Sequence, residues 1–130
     1  MAVAKKMEMP CEVAARMIIP SIRASIAYIL VKEFGLSKYT AAKLLDLTPA
    51  AINNYISGKR GDRFMKSFLE NKVYLEKIRY MAMLILKLHS DSKVDREAIL
   101  NAYQDSICDV CSRVNEIAIK RGCPYIRLQH

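Results

Sequence analysis

The stretch from residue 38 to residue 57 constrains the fold of this chain most tightly. Ala42 is the small residue that two crossing helices need where they touch. Apolar residues recur at the spacing that would pack two helices together, at Leu45, Leu47, Ile52 and Tyr55. Thr48 is a good N-cap, and Pro49 suits the first helical position because its missing N–H costs nothing there. The pattern predicts two short helices joined by a tight turn.

The same segment has a family resemblance. Residues 36–61, LSKYTAAKLLDLTPAAINNYISGKRG, resemble without a gap the helix-turn-helix of phage-repressor-like (XRE/Cro-type) DNA-binding domains. Together with Met9-Pro10-Cys11-Glu12 and a long helix containing Pro20 and Arg23, they resemble a group of short archaeal predicted transcriptional regulators. The specific part covers roughly residues 9–64, and the C-terminal half is matched mainly by its cysteines. The resemblance implies a DNA-binding protein.

Asp46 departs from the family pattern, which usually has glycine at this position of the turn. The position commonly needs a positive φ angle, which aspartate tolerates better than most residues but less well than glycine. We expect a small strain at Asp46 and an otherwise intact turn.

The second helix of such a motif presents its first turns to the major groove. Here the groove-facing set is Thr48, Pro49, Ala50, Asn53 and Asn54. Asparagine can pair with adenine, and alanine and the threonine methyl can contact a thymine methyl, so we expect a preference for A·T-containing sites. Phosphate-backbone contacts are expected from Lys38, Tyr39, Thr40, Lys59 and Arg60. The alternative is that Asn53 and Asn54 are simply exposed polar residues.

The charge of the chain agrees with a polyanionic partner. Twenty-one lysines and arginines against 13 acidic residues give a formal net charge of +8. Such a surplus favours DNA through counterion release, although a basic solvated surface would have the same composition. Its position favours DNA, since Lys59, Arg60, Arg63 and Lys66 directly follow the second helix of the motif.

Helical periodicity extends over most of the chain, and we predict an all-α fold. The predicted regions are an N-terminal tail (1–11), a helix-turn-helix DNA-binding domain (12–70) and a helical extension for dimerisation and cysteine ligation (71–130). The expected helices cover residues 12–34, 38–45, 49–57, 62–70, 71–89 and 96–120, with Ser37 and Asp95 as caps of the second and the last, and residues 125–128 are at most a short strand. The apolar run 81–86 predicts that helix 71–89 is buried on most sides, either in a dimer interface or in the core of one chain.

The four cysteines, Cys11, Cys108, Cys111 and Cys123, are candidate metal ligands. Cys108 and Cys111 share a face of a predicted helix, and the other two could join them if the last helix folds back on the first. Four thiolates suit an iron–sulfur cluster, which we favour because the pair lies inside a helix, or a structural zinc ion. A redox thiol switch and buried structural cysteines remain alternatives.

Other classes of function have little support in the sequence. No run of about 18 apolar residues and no signal peptide is evident, so we expect a cytoplasmic protein without a membrane span. The two histidines, His89 and His130, accompany no nucleophile motif, and no phosphate-binding glycine loop is present. We therefore predict neither an enzyme nor a small-molecule substrate.

These observations lead to one main hypothesis and two others. The chain is expected to be a sequence-specific transcriptional regulator that binds double-stranded DNA as a homodimer. An iron–sulfur cluster or the redox state of its cysteines would modulate that binding. The alternative is a helical interaction or assembly protein with a structural zinc or no metal, and a less favoured third is an electron carrier.

Overall fold

The computed structural model describes residues 9–57, 63–90 and 93–115, and every regular element within these ranges is helical. The elements in chain order are α1 (Pro10–Val13), a π-helical turn (Ala14–Ile18), α2 (Ile19–Lys32), α3 (Lys38–Leu45), α4 (Pro49–Ile56), α5 (Arg63–Glu70), α6 (Lys72–Ser90) and α7 (Arg96–Val114). The prediction of a helical fold is thus confirmed for this part of the chain. Residues 125–128 lie outside it.

The first helical stretch is irregular just before Pro20. A proline has no N–H for the carbonyl four residues earlier, and its ring crowds that carbonyl. The chain meets this with the wider π turn at Ala14–Ile18, after which α2 continues. Helical structure begins at Pro10, so Cys11 lies in the first helical turn and not in the predicted N-terminal tail. Gly35, with a φ of 72°, follows the end of α2.

Helix α2 is the centre of the core. Ile22, Ile26 and Leu30 are completely buried, and α2 contacts α3, α4, α5, α6 and α7. Its two buried serines satisfy their hydroxyl groups within the helix. Ser21 donates to the carbonyl of Met17 and Ser25 to that of Ser21, each at 2.8 Å. A polar group buried without a partner would destabilise the helix, and these bonds avoid that cost.

The helical stretch Cys11–Lys32 is also long and apolar enough to cross a membrane, judged by length and composition. This differs from the expectation that the chain has no such segment. In the structure, 61% of the apolar window is buried inside the protein. The central helix of a water-soluble fold passes the same test, so this finding is weak support for a membrane span.

Helices α3 and α4 begin at the predicted residues because side chains cap both N-termini, and α4 ends one residue before the prediction. Ser37 Oγ accepts a hydrogen bond from the Thr40 amide at 3.0 Å, and Thr48 Oγ1 accepts one from the Ala51 amide at 3.1 Å. Asp46 ends α3 in the left-handed conformation, with φ 56° and ψ 43°, as its place in the motif predicts. Ala42 and Ile52 are buried between the helices and the core.

Helices α5, α6 and α7 complete the core. Phe68 is completely buried and contacts Phe64 and Tyr74, with ring centroids 6.2 and 5.6 Å away. Helix α6 buries Ile78 and Met81 against α2, α5 and α7, so one of its faces serves the core of this chain. The same hydrophobic cluster includes residues on both sides of the predicted domain boundary at residue 70.

The C-terminal end of α7 differs from the prediction. Asp95 caps its N-terminus as expected, accepting from the Ala98 amide at 3.1 Å. The helix ends at Val114, and Asn115 is extended, so the expected unbroken helix to about Lys120 is wrong at this residue. Asn115 is buried, and its Nδ2 donates to Cys111 Sγ at 3.4 Å. Asparagine favours helix ends because its side chain competes for local hydrogen bonds.

Candidate nucleic-acid interface

One face of α4 is open to solvent while the opposite face is packed. Pro49, Ala50 and Asn53 are exposed, whereas Ile52 is completely buried. Positions 49, 50 and 53 share a face because residues three or four apart on a helix are neighbours. The preceding cap residue, Thr48, is exposed as well. Four of the five predicted groove-facing residues therefore form one continuous exposed surface.

Asn54 lies at the edge of this surface. Its side chain is half-buried, as is that of Tyr55, and its carbonyl accepts a hydrogen bond from Ser57 Oγ at 3.3 Å. Asn54 follows Asn53 in sequence, and one residue on an α-helix is a rotation of about 100°, which here brings the side chain toward the packed side. Of the two asparagines, Asn53 is thus the better placed to reach a ligand lying across α4.

The N-terminus of α3 adjoins the exposed face of α4. Lys38, Tyr39 and Thr40 are all exposed, with Tyr39 retaining 72% of its accessible surface. Lys38 Nζ donates a hydrogen bond to Asn53 Oδ1 at 2.7 Å, which ties the first residue of α3 to the middle of α4. The two groups of predicted contacts, those on α3 and those on α4, therefore belong to one surface with Asn54 at its edge.

The charge of this surface is positive and sparse. Residues 37–57 contain three charged side chains, Lys38, Lys43 and Asp46. Lys66 on α5 is exposed. Lys59 and Arg60, the predicted phosphate contacts after α4, lie outside the described residues. The surface can offer amide and methyl groups to a partner, together with the amides of two helix N-termini, which favour anions.

Three of the four candidate metal ligands fall within the described residues, and they differ in environment. Cys11 is exposed, Cys108 is half-buried, and Cys111 is buried in the hydrophobic cluster. Cys123 lies outside the described ranges. Helix α7 does return to contact α2, as the cysteine hypothesis requires. Among the described residues, however, no three histidine, cysteine or carboxylate side chains come together as a metal-binding group.

Ion pairs join α6 to the end of α2 and to α7. Arg79 binds Glu33 through two hydrogen bonds, at 2.8 and 3.2 Å. On the other side, Asp109 of α7 pairs with Lys77 of α6 and with Arg113. Partial burial alone would raise the pKa of the Asp109 carboxyl, but hydrogen bonding and charge from Lys77 and Arg113 outweigh it and lower that pKa.

Comparisons with known protein families, with curated proteins and with solved structures found no match to this chain. The resemblance to phage-repressor-like regulators therefore rests on the residues of the motif and stays a prediction.

Proposed function

We propose that this chain is a sequence-specific DNA-binding transcriptional regulator whose reading surface is the exposed face of α4 together with the N-terminus of α3. The observation that supports this best is the contact between Lys38 and Asn53, because it joins the residues expected to touch phosphates to those expected to touch bases. The contact is exposed, so DNA could replace it at little cost.

The side chains on this surface suit A·T base pairs. The Asn53 amide offers a donor and an acceptor, which is the pattern that pairs with N7 and N6 of adenine. Ala50 and the Thr48 methyl group could contact a thymine methyl. Asn53 Oδ1 accepts one hydrogen bond from Lys38 Nζ, so its second lone pair and both of the amide N–H donors remain available to adenine.

A regulator of this kind would bind as a homodimer, since paired recognition helices read two half-sites one helical turn apart. The outer side of α6 carries three exposed apolar residues, Val73, Tyr80 and Met83, and these could supply the contact between two chains. The same exposed residues also favour the second candidate function, a helical interaction or assembly protein that does not bind DNA.

DNA binding can be tested even though the operator is unidentified. Duplexes would be selected from a random pool with the purified protein, and affinity measured by fluorescence anisotropy over a range of salt concentrations. We expect enrichment of A·T-containing sites and a linear fall of log affinity with log salt. Asn53→Ala should weaken binding to the selected site by about 1–3 kcal/mol. The same change at exposed Asn101 on α7 is the matched control and should have no effect.

If no sequence is enriched from the random pool and the protein does not bind DNA at low salt, the assembly protein would be favoured over the regulator. Full retention of affinity by a folded Asn53→Ala protein would refute the role given to α4. Asn54→Ala, at the edge of the surface, should have a smaller effect than Asn53→Ala.

We further propose that the cysteines make DNA binding conditional, through an iron–sulfur cluster or through their redox state. Cys11, Cys108, Cys111 and Cys123 remain the candidate ligands, with zinc as the alternative. Anaerobically purified protein should show visible absorbance and contain iron if a cluster is bound. A colourless sample that contains neither iron nor zinc and has four titratable thiols would refute both metal hypotheses.

A further inference from the structure

A cavity of about 190 Å³ lies where α2, the end of α3, α6 and α7 meet. Its walls are mainly leucine and isoleucine side chains, including Leu44, Leu84, Leu88, Ile99 and Leu100. Drug-sized ligands usually occupy roughly 300–1,000 Å³, so this cavity suits a smaller molecule. Leu100 is 42% exposed, and its apolar surface forms part of the cavity wall.

Two side chains of opposite charge line this apolar cavity. Arg23 comes from α2 and Asp46 from the left-handed end of α3. They form no ion pair with each other, and neither pairs with another described charged residue. A guanidinium and a carboxylate that line the same cavity without neutralising each other can each bind the opposite charge of a ligand.

Two further titratable groups complete the lining. Tyr103 lies beside Arg23; burial raises the pKa of its hydroxyl, and the neighbouring guanidinium offsets part of that rise. The hydroxyl is therefore neutral at physiological pH and can donate a hydrogen bond to a carboxylate held by Arg23. His89, in the last turn of α6, offers a second donor. Asp46 is the single carboxylate among the residues of this lining.

We propose that this cavity binds a small zwitterion with an apolar side chain, the chemistry of a free apolar α-amino acid. Its carboxylate binds Arg23 and its ammonium group binds Asp46. A plain carboxylate would bind Arg23 without using Asp46, and a plain amine would bind Asp46 without using Arg23. The apolar walls from α6 and α7 take the side chain, since removing its methyl and methylene groups from water is favourable.

The cavity lies between the turn that precedes α4 and the C-terminal helices. Asp46 is two residues before Thr48, the N-cap of α4, while Leu84, Leu88 and Leu100 belong to α6 and α7. A bound ligand would join the turn between α3 and α4 to the C-terminal helices. An effect on DNA affinity rests on the proposed function, whereas ligand binding itself does not.

Calorimetric titration of the 130-residue chain in the absence of DNA tests the proposal. L-Leucine and L-phenylalanine are the probes, and at least one is expected to bind saturably at one molecule per chain. Two leucine analogues separate the charges: 4-methylpentanoate lacks the ammonium group and 3-methylbutylamine lacks the carboxylate. Each should bind at least about tenfold more weakly than leucine, since a charged hydrogen bond is lost.

Substitutions test whether Arg23 binds the carboxylate of the ligand and Asp46 its ammonium group. Arg23→Met should weaken amino-acid binding on the order of 10–100-fold, and Asp46→Asn should do the same. Asparagine also tolerates the left-handed backbone, so the turn is preserved. Lys43→Met and Glu97→Gln remove the same charges at exposed positions outside the cavity and should leave binding unchanged.

The proposal fails if neither amino acid binds, or if 4-methylpentanoate binds as tightly as leucine. It also fails if folded Arg23→Met and Asp46→Asn proteins bind leucine as the wild type does. Should a variant not fold, the analogues on the wild-type protein still decide the question. Because these titrations contain no DNA, a negative result here is distinct from a failure of the proposed regulator.

Discussion

The α3–α4 pair and the α6–α7 pair are both neighbouring helices in contact, but they are built in different ways. Helices α3 and α4 have eight residues each, with a side-chain cap at each N-terminus and a polar outer face. Helices α6 and α7 have 19 residues each, and the outer face of α6 is partly apolar. The short helices depend on local hydrogen bonds at their ends, whereas the long helices depend on burial along their length.

The difference suits the two proposed tasks, binding DNA and joining two chains. A pair of short capped helices leaves backbone amides, a lysine and an asparagine at the surface, where they can meet a polar partner. A pair of long helices offers area, both to the core and to another chain. The two pairs nevertheless share one hydrophobic cluster through α2, so their stabilities should be coupled.

The largest expected effects test that coupling. Ile52→Ala in α4 and Met81→Ala in α6 each remove a completely buried side chain and should lower the free energy of unfolding by about 2–5 kcal/mol. Denaturant unfolding followed by circular dichroism should show one cooperative transition for each variant. Lys87→Ala, at an exposed position of α6 outside the proposed dimer contact, is the control and should change stability by less than about 0.5 kcal/mol.

Two separate transitions in Ile52→Ala would contradict the shared core. They would mean that α6 and α7 stay folded after α3 and α4 have unfolded, and the comparison would then be between two folding units.

The next effect concerns the apolar outer face of α6. Tyr80 and Met83 are 48% and 54% exposed in a single chain. If this face joins two chains, Met83→Glu or Tyr80→Glu should weaken the dimer at least about tenfold, because a carboxylate would be buried without a partner. Sedimentation equilibrium gives the dissociation constant. Lys43→Glu introduces the same residue on exposed α3 and should leave it unchanged.

A monomeric wild type, or an unaltered dimer in both α6 variants, would exclude this face as the dimer contact. The homodimer hypothesis would then need another surface.

The N-terminal caps should contribute similar stability to both helix pairs. Thr48 caps α4 and Asp95 caps α7, with similar distances to the bonded amides. Thr48→Ala and Asp95→Ala should each cost about 0.5–2 kcal/mol of stability, measured by chemical denaturation. Thr48→Ser keeps the capping oxygen and should be nearly neutral. A similar loss in Thr48→Ser would show that the methyl group and not the cap stabilises this position.

The smallest effect comes from the ion pair between α6 and α7. The pKa of Asp109 is lowered in the folded protein, so its negative charge stabilises the fold. This stabilisation is fully present above the ordinary carboxyl pKa of about 3.9. It is lost as the pH falls through the pKa that Asp109 has in the folded protein. Asp109→Asn should cost less than about 1 kcal/mol at pH 7, since Lys77 and Asp109 are 29% and 38% exposed.

The difference between Asp109→Asn and the wild type should shrink below about pH 4, as thermal unfolding across pH would show. Glu97→Gln, at an exposed position of α7, is the control. A difference that persisted unchanged at low pH would mean that the substitution acts by something other than the carboxylate charge.

Sequence alone predicts several helix N-termini and one turn well. Ser37, Thr48 and Asp95 act as the caps that their residue types indicate, and Asp46 has the positive φ expected from its place in the motif. These features involve partners within about four residues along the chain, so the local sequence contains nearly all the information that fixes them.

The candidate surface was predictable as a list of residues but not in its detail. Nothing in the sequence separates Asn53 from Asn54, or joins Lys38 to Asn53, because each depends on how α3 and α4 pack. The cysteine pair is similar. Spacing puts Cys108 and Cys111 on neighbouring positions of a helix, but packing decides that Cys111 is buried and that Asn115 ends the helix beside it.

What the sequence determined by itself is therefore local: helical periodicity, capped starts, a left-handed turn and a basic balance of charge. What the tertiary structure decided is which side chains meet across the chain. It brought Arg23 and Asp46 to one apolar cavity, and it left Tyr80 and Met83 exposed on a helix whose other face is core. The reason is that burial is a sum over residues distant in sequence, whereas a cap is a single bond to a near neighbour.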